Sequence, residues 1–205
     1  MTLTPHAWTI LIAGAWNRAI LTPDGIRNRL FNLAPDTPIE LEVEVNSPAV
    51  FRVKRDGVSV CPTNEYLILV PSDFTKEGME KAATIGIRAL EALPETPLTA
   101  AGMNFRYRFD DVGNLLDSLS VRMDQELSDL ELEIVGRGVK RAITHGLGKI
   151  NLEIHSENGL GGEILFNFHK DASKGPDLIT WLEGCADAMD KVHAIITRLT
   201  EIAND

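Results

Sequence analysis

KINLEIHSENGLGGEILFNFHK, residues 149–170, is the stretch that indicates most clearly how this chain folds. Apolar and polar residues alternate on both sides of ENGLGG, and Asn-Gly is a strong signal for a tight turn between two strands. One register keeps the apolar side chains together on one face: it pairs Ile150 with Phe168, Leu152 with Phe166 and Ile154 with Ile164. The stretch therefore predicts an antiparallel hairpin with one apolar and one polar face.

A second hairpin is predicted in IELEVEVNSPAVFRVKRDG, residues 39–57. Its apolar residues pair if Val43 faces Val53 and Val45 faces Phe51, which also sets its glutamates opposite Arg52 and Lys54. The charged side is then either a solvated face that fixes the register, a docking surface, or a catalytic site. General acid–base chemistry needs carboxylates with separated pKa values. Glutamates opposite basic side chains favour a structural role instead.

The other elements follow from hydrophobic periodicity and from capping and turn signals. Thr22 and Pro23 are typical of a helix N-terminus. The predicted strands cover 7–17, 39–45, 50–55, 58–61, 65–70, 101–109, 130–145 with a bend at Gly136 or Gly138, 149–156 and 162–170. The predicted helices cover 22–33, 72–93, 110 or 111 to 123, and 175–202.

This order predicts an α+β fold: a mixed or mainly antiparallel sheet with helices packed on one face. Both halves, 1–98 and 99–205, read as β-α-β-β-β-α pseudo-repeats, either as two domains or as one continuous domain. AGAWNRAILTPDG in the first half aligns with AGMNFRYRFDDVG in the second at four positions. Internal duplication is the favoured interpretation, and a single α+β domain with accidental repetition is the alternative.

Two passages resemble a sporadically distributed family of uncharacterised bacterial α+β proteins. ALEALPETPLTAAGMNFRYRF, residues 89–109, resembles that family's helix, proline-containing loop and GLRYIN-type strand. LITWLEGCADAMDKVHAIITRL, residues 178–199, resembles its last helix, which is rich in leucine and aspartate and carries a histidine. The resemblance implies a bacterial α+β protein, in a regulatory or defence context, and implies no particular activity.

Composition and charge restrict the classes of function. The chain has 205 residues and a net charge of −10, which is unfavourable for binding a phosphate backbone. Cys61 and Cys185 lie far apart in sequence and indicate reduced thiols in a cytoplasmic protein rather than a disulfide framework. The N-terminus lacks a basic segment, and its apolar run of about ten residues is too short to cross a bilayer.

No stretch of the sequence matches a cofactor, metal or catalytic motif. HGLGKI, residues 145–150, lacks the P-loop pattern and predicts a tight turn. His155 and His169 lie at opposite ends of the predicted hairpin, roughly 20 Å apart, so they do not share a metal. Asp187, Asp190 and His193 share one helix face, where a solvated surface is the favoured interpretation. We therefore expect no cofactor and no metal.

The last helix carries an apolar row sustained over about three and a half heptads: Leu178, Leu182, Cys185, Met189, Val192, Ile196, Leu199 and Ala203. A second row of Trp181, Ala188 and Ile195 lies beside it. The wide stripe favours burial against the chain's own sheet. The alternative is that part of the stripe meets a second subunit, with Met189, Val192, Ile196 and Leu199 as the candidate interface residues.

The sequence favours a non-enzymatic interaction or accessory protein, as a homodimer or bound to another protein, and no membrane partner. The alternative is a small-ligand binder or enzyme with a cleft between the halves, where Arg18, Asn104, Arg106 and Arg108 would hold an anion. The third alternative is nucleic-acid binding through the basic residues of 137–149, which the net acidity disfavours: Arg137, Lys140, Arg141, His145 and Lys149.

Overall fold

Within the residues that the structure describes, one nine-stranded antiparallel sheet dominates the fold, together with five helices. The computed structural model describes residues 2–44, 47–110, 115, 122–146, 148–157 and 161–204. The strands are β1 (Leu3–Gly14), β2 (Glu40–Glu44), β3 (Ser47–Arg55), β4 (Val58–Pro62), β5 (Tyr66–Pro71), β6 (Leu98–Phe109), β7 (Gly136–His145), β8 (Gly148–Glu157) and β9 (Gly162–Asp171). The helices are α1 (Pro23–Arg29), α2 (Lys76–Ala92), α3 (Arg122–Asp129), α4 (Gly175–Glu183) and α5 (Cys185–Asn204).

The sheet order is β2-β3-β4-β5-β1-β6-β9-β8-β7, so the α+β class is confirmed and every strand pair is antiparallel. β1 and β6 lie side by side near the middle and pair from Leu3 opposite Phe109 to Gly14 opposite Leu98. Backbone hydrogen bonds therefore join the N-terminal and C-terminal halves of the chain in one sheet. That the halves are duplicates, or domains divided at residue 98, stays a prediction.

The helices contact the sheet on the face that carries its buried apolar side chains, which we call the covered face. Ile10 on β1 stands opposite Leu69 and Met103, and Met103 stands opposite Phe168, so these four residues share that face. Gly86 of α2 lies against Ile12 and Leu69, while α4 and α5 enclose a small cavity with Met103 and Phe168. In the part of the chain described, no helix is long and apolar enough to span a membrane.

The helices α1 and α2 begin with the same local motif. Thr22 and Thr75 are the N-caps, and each Oγ1 accepts a hydrogen bond of 3.1 Å from the backbone N–H of the glycine three residues later. A Cβ on Gly78 would lie 2.2 Å from the carbonyl oxygen of Asp73, so this tight turn requires glycine. The predicted start of α1 is confirmed, whereas the predicted start of α2 at Ser72 is wrong.

The two predicted hairpins differ in how well their registers were anticipated. The β8–β9 register is confirmed at every predicted apolar pair. The β2–β3 register is wrong by two residues, because Val43 faces Phe51 and an irregularity follows Val43. The predicted partner Val45 lies outside the described residues. Because side chains alternate with period two, this shift leaves Glu40 and Glu42 on their predicted face.

Several further predictions are wrong in extent: β1 covers Leu3–Gly14 rather than 7–17, and α1 ends at Arg29 rather than at 33. The strand predicted over 130–145 begins only at Gly136, because α3 continues to Asp129, and it pairs with β8 without a bulge. The single helix predicted over 175–202 is interrupted at Gly184, whose N–H bonds back to Trp181 and Leu182. Most of the helix predicted from 110 or 111 to 123 lies outside the described residues. His145 at the end of β7 pairs with Gly148 at the start of β8, in accord with the turn predicted at HGLGKI, of which Leu147 lies outside the described residues.

The apolar row on α4 and α5 faces the chain's own core. Leu178, Leu182, Met189 and Val192 are fully buried, and Leu199 is only 9% exposed. Of the four residues predicted as a subunit interface, Met189, Val192 and Leu199 are therefore core residues, and Ile196 is half-buried against the same cluster. The apolar stripe on α4 and α5 is wide enough for these helices to cover the sheet.

Candidate functional site

The sheet face opposite the helices carries none of the helix contacts described above, and we call it the open face. It consists of the side chains that alternate with the covered face; its central residues are Thr9, Leu11, Ile68, Asn104, Asn151, Leu165 and Asn167. These seven are all half-buried, because strand neighbours flank them while the helix contacts given above lie on the other side. The open face is thus preformed by the sheet register.

A chain of amide hydrogen bonds crosses the open face over four strands. The Asn151 Nδ2 donates to Asn167 Oδ1 at 2.9 Å, Asn167 Nδ2 donates to Asn104 Oδ1 at 2.8 Å, and Asn104 Nδ2 donates to Thr9 Oγ1 at 3.1 Å. Each asparagine amide has a second N–H, which keeps hydrogen-bonding capacity for a partner. Only Asn104 was a predicted site residue. Its partners could have been found from the β8–β9 register, which sets Asn151 opposite Asn167.

An ionic cluster lies beside this amide chain. The Glu163 carboxylate contacts His6 Nε2 at 2.8 Å and accepts a 2.9 Å hydrogen bond from Arg106 Nη1. His155 stands opposite Glu163 in the sheet, as the sequence predicts, but the carboxylate bonds to the neighbours on its other side. With both oxygens of Glu163 engaged, the cluster fixes the orientation of Arg106 rather than presenting a free acid.

An apolar stripe forms the other part of the open-face centre. Leu11 stands opposite Ile68 on one side and Gly102 on the other, and Ile68 stands opposite Cys61. The stripe therefore runs across β4, β5, β1 and β6. Apolar side chains at the centre of a surface with polar groups around them are the usual arrangement of a protein interface.

Paired charges of both signs mark each end of the open face. At the β2 end, Lys54 bonds Glu42 and lies 3.8 Å from Glu40, whose side chain is 67% exposed. At the β7 end, Lys140 is 72% exposed and contacts Glu153 at 2.5 Å. The acidic and basic side chains described on the open face are nearly equal in number. The acidic ones are Glu40, Glu42, Glu153, Glu163 and Asp171, and the basic ones are Arg52, Lys54, Arg106, Arg108, Lys140 and Lys149.

The structure brings together three of the four residues predicted to bind an anion. Asn104, Arg106 and Arg108 alternate along β6 on the open face, and Arg108 is exposed at the end where it faces Thr4. Arg18 follows the opposite end of β1 and lies 5.9 Å from the centre of the Phe51 ring. Arg18 therefore does not join a common pocket with the other three.

Three described side chains that could act as a nucleophile or an acid, those of Cys185, Asp171 and Asp190, are buried or paired with another side chain. Burial raises the pKa of the Cys185 thiol to about 12, so it is not a thiolate at neutral pH. The hydrogen bond from His169 lowers the pKa of Asp171, and Asp190 forms an ion pair with Lys76 at 2.8 Å. Within the described ranges, no three histidine, cysteine or carboxylate side chains are placed to hold a metal ion.

Tyr107 carries a buried hydroxyl on the covered face that lacks a hydrogen-bond partner among the described residues. Desolvation raises its pKa above the ordinary tyrosine range, so the hydroxyl stays neutral. We expect Tyr107→Phe to leave stability unchanged or to raise it by about 1 kcal/mol, because it removes an unsatisfied polar group from the core. Urea unfolding measures this, and a loss above about 1 kcal/mol would reveal a hydrogen bond to the hydroxyl.

Comparison with known proteins does not assign this chain to a family. No family model matches this chain, and no curated protein matches it. The functional interpretation therefore rests on the geometry of the open face.

Proposed function

We propose that this chain is a non-enzymatic interaction protein and that the open face is its docking surface. The observation that carries the proposal is the arrangement of this face: an apolar stripe centred on Leu11 and Ile68, an amide chain beside it, and charges at both ends. Helices engage the sheet only through the covered face in the contacts described. A half-buried, preformed surface of mixed polarity is suited to another protein surface more than to a small substrate.

The occupant we favour is a second copy of the chain. A face of nine strands is about 40 Å wide at a spacing of about 4.8 Å, and about 25 Å of strand length gives an area on the order of 1,000 Å². A standard interface buries about 800 Å² on each partner. The face is large enough for a stable dimer.

Charge also supports a face-to-face dimer. A two-fold axis parallel to the strands would place the β2 end of one copy over the β7 end of the other. The exposed Glu40 would then approach Lys140 of the second copy. The near balance of charge on the open face avoids an excess of like-charge contacts at the interface, although each chain carries a net charge of −10.

Light scattering on the purified wild-type chain and on the variant Leu11→Arg tests this proposal. We expect wild type to have twice the mass of one chain, and the variant to be a folded monomer, because a guanidinium would replace the centre of the apolar stripe. Ile202→Arg is the control, since Ile202 is an exposed apolar residue on α5, away from the sheet. A monomeric wild type at about 100 μM, or a dimeric Leu11→Arg variant, would contradict the dimer.

A further inference from the structure

A second candidate site lies on the covered side of the molecule, where α2 approaches β4 and the residues after α1. A cavity of about 450 Å³ opens there between Phe31, Val58 and the outer face of α2. Its floor is apolar, because Phe31, Val58 and Ile85 are all buried. Pockets of this size, with an apolar lining and a few polar groups, are typical of small-molecule sites.

Three polar side chains on one face of α2 line the same cavity. Lys81, Thr84 and Arg88 are spaced at three and four residues, which places them along one side of the helix. The Arg88 guanidinium donates one hydrogen bond of 3.3 Å to the carbonyl oxygen of Leu30 at the end of α1. That bond holds the guanidinium at the cavity wall, and most of its donors have no partner among the described residues.

Two acidic groups near the cavity are paired with basic side chains, one of which, Lys81, itself lines the cavity. Asp56, the one carboxylate that lines it, contacts Arg55 Nε at 3.0 Å. Lys81 Nζ is 2.7 Å from Glu77, a residue one turn earlier on α2, and this hydrogen bond raises the pKa of Lys81. Among the lining residues, the two cations Lys81 and Arg88 outnumber the one carboxylate, Asp56, within a chain of net charge −10.

We infer that this cavity binds a small monocarboxylate with an apolar body. Arg88 would take the carboxylate through paired N–H donors, Lys81 would add charge, and the body would lie on Phe31, Val58 and Ile85. A dianion fits less well, because the Asp56 carboxylate lines the same wall. This site is on the opposite side of the sheet from the open face and does not depend on the proposed docking.

Calorimetric titration with phenylpropionate tests the inference. Phenylpropanol and phenylpropylammonium, which share its apolar phenyl-bearing chain, serve as the neutral and cationic comparison compounds. We expect only the carboxylate to bind well. Arg88→Met keeps the aliphatic stem and should weaken binding about tenfold. Lys81→Met should weaken it about threefold, as for a partly exposed charge. Circular dichroism confirms that each variant is folded.

Glu77→Gln gives a test in the opposite direction. Because Glu77 competes with the ligand for Lys81, its neutralisation should tighten phenylpropionate binding about twofold, whereas damage to the fold would weaken it. Equal binding of the alcohol and the carboxylate, unchanged binding in both methionine variants, or no binding of phenylpropionate at millimolar concentration would each overturn the inference.

Discussion

Met189→Glu is expected to unfold the protein or to cost about 4 kcal/mol or more, a large part of the stability of a typical domain. Met189 is fully buried on α5 and belongs to the main hydrophobic cluster. A glutamate there would bury an unpaired carboxylate or force the helix away from the sheet. Urea unfolding followed by circular dichroism measures the loss.

The control for this prediction lies on the same helix. Ile202 is 39% exposed, so Ile202→Glu should change the free energy of unfolding by less than about 0.5 kcal/mol. Met189→Leu should cost below about 1.5 kcal/mol, because it nearly conserves the apolar volume. If Met189→Glu gave a folded protein with the wild-type urea midpoint, α5 would have to pack differently, with Met189 at a surface.

Met189 also illustrates a choice that the sequence alone does not decide, between a subunit interface and packing against the chain's own sheet. A heptad-like apolar row is compatible with a subunit interface and with packing on a sheet, and only the width of the stripe favoured the second. The structure places the row against the core. The break at Gly184 was equally hard to anticipate, because one glycine inside an apolar repeat is tolerated in many helices.

Local signals predicted the strands and turns where they were unambiguous. Asn-Gly and strict alternation gave the β8–β9 register, and Thr22-Pro23 gave the start of α1. The same Thr-x-acid-Gly motif at Thr75 was overlooked in favour of Ser72. The β2–β3 register slipped by two residues because an irregularity after Val43, which changes the pairing, has no clear sequence signal.

The candidate site was predictable only in part because it depends on pairing between distant strands. In the sequence, Arg106 and Arg108 alternate with Phe105, Tyr107 and Phe109, a pattern that by itself puts the two arginines on one face of β6. The partners of Asn104 and Arg106, which are Thr9 and Glu163, come from β1 and β9, and that adjacency follows from the order of the whole sheet. Arg18, the fourth residue of the predicted cleft between the halves, follows the end of β1 that is far from Arg108, a separation set by the β1–β6 pairing.

Phe105→Ala is expected to cost about 3–5 kcal/mol, because it removes a fully buried ring from the centre of the sheet. The ring makes edge contacts with Trp8 on β1, at 5.4 Å between centroids, and with Phe168 on β9, at 5.7 Å. Phe105 therefore links the strands on both sides of β6. Such aromatic pairs add about 0.5–1.5 kcal/mol each beyond the burial of their area.

The way in which the Phe105→Ala variant unfolds tests the continuity of the sheet. Because β1 and β6 are hydrogen-bonded neighbours, we expect fluorescence and far-ultraviolet circular dichroism to report one transition at a lower urea midpoint with an unchanged slope. Arg108→Ala is the control, since it changes an exposed side chain on the same strand and should cost less than about 0.5 kcal/mol. Two separated transitions in the variant would instead mean that the halves fold independently and that the β1–β6 pairing couples them only weakly.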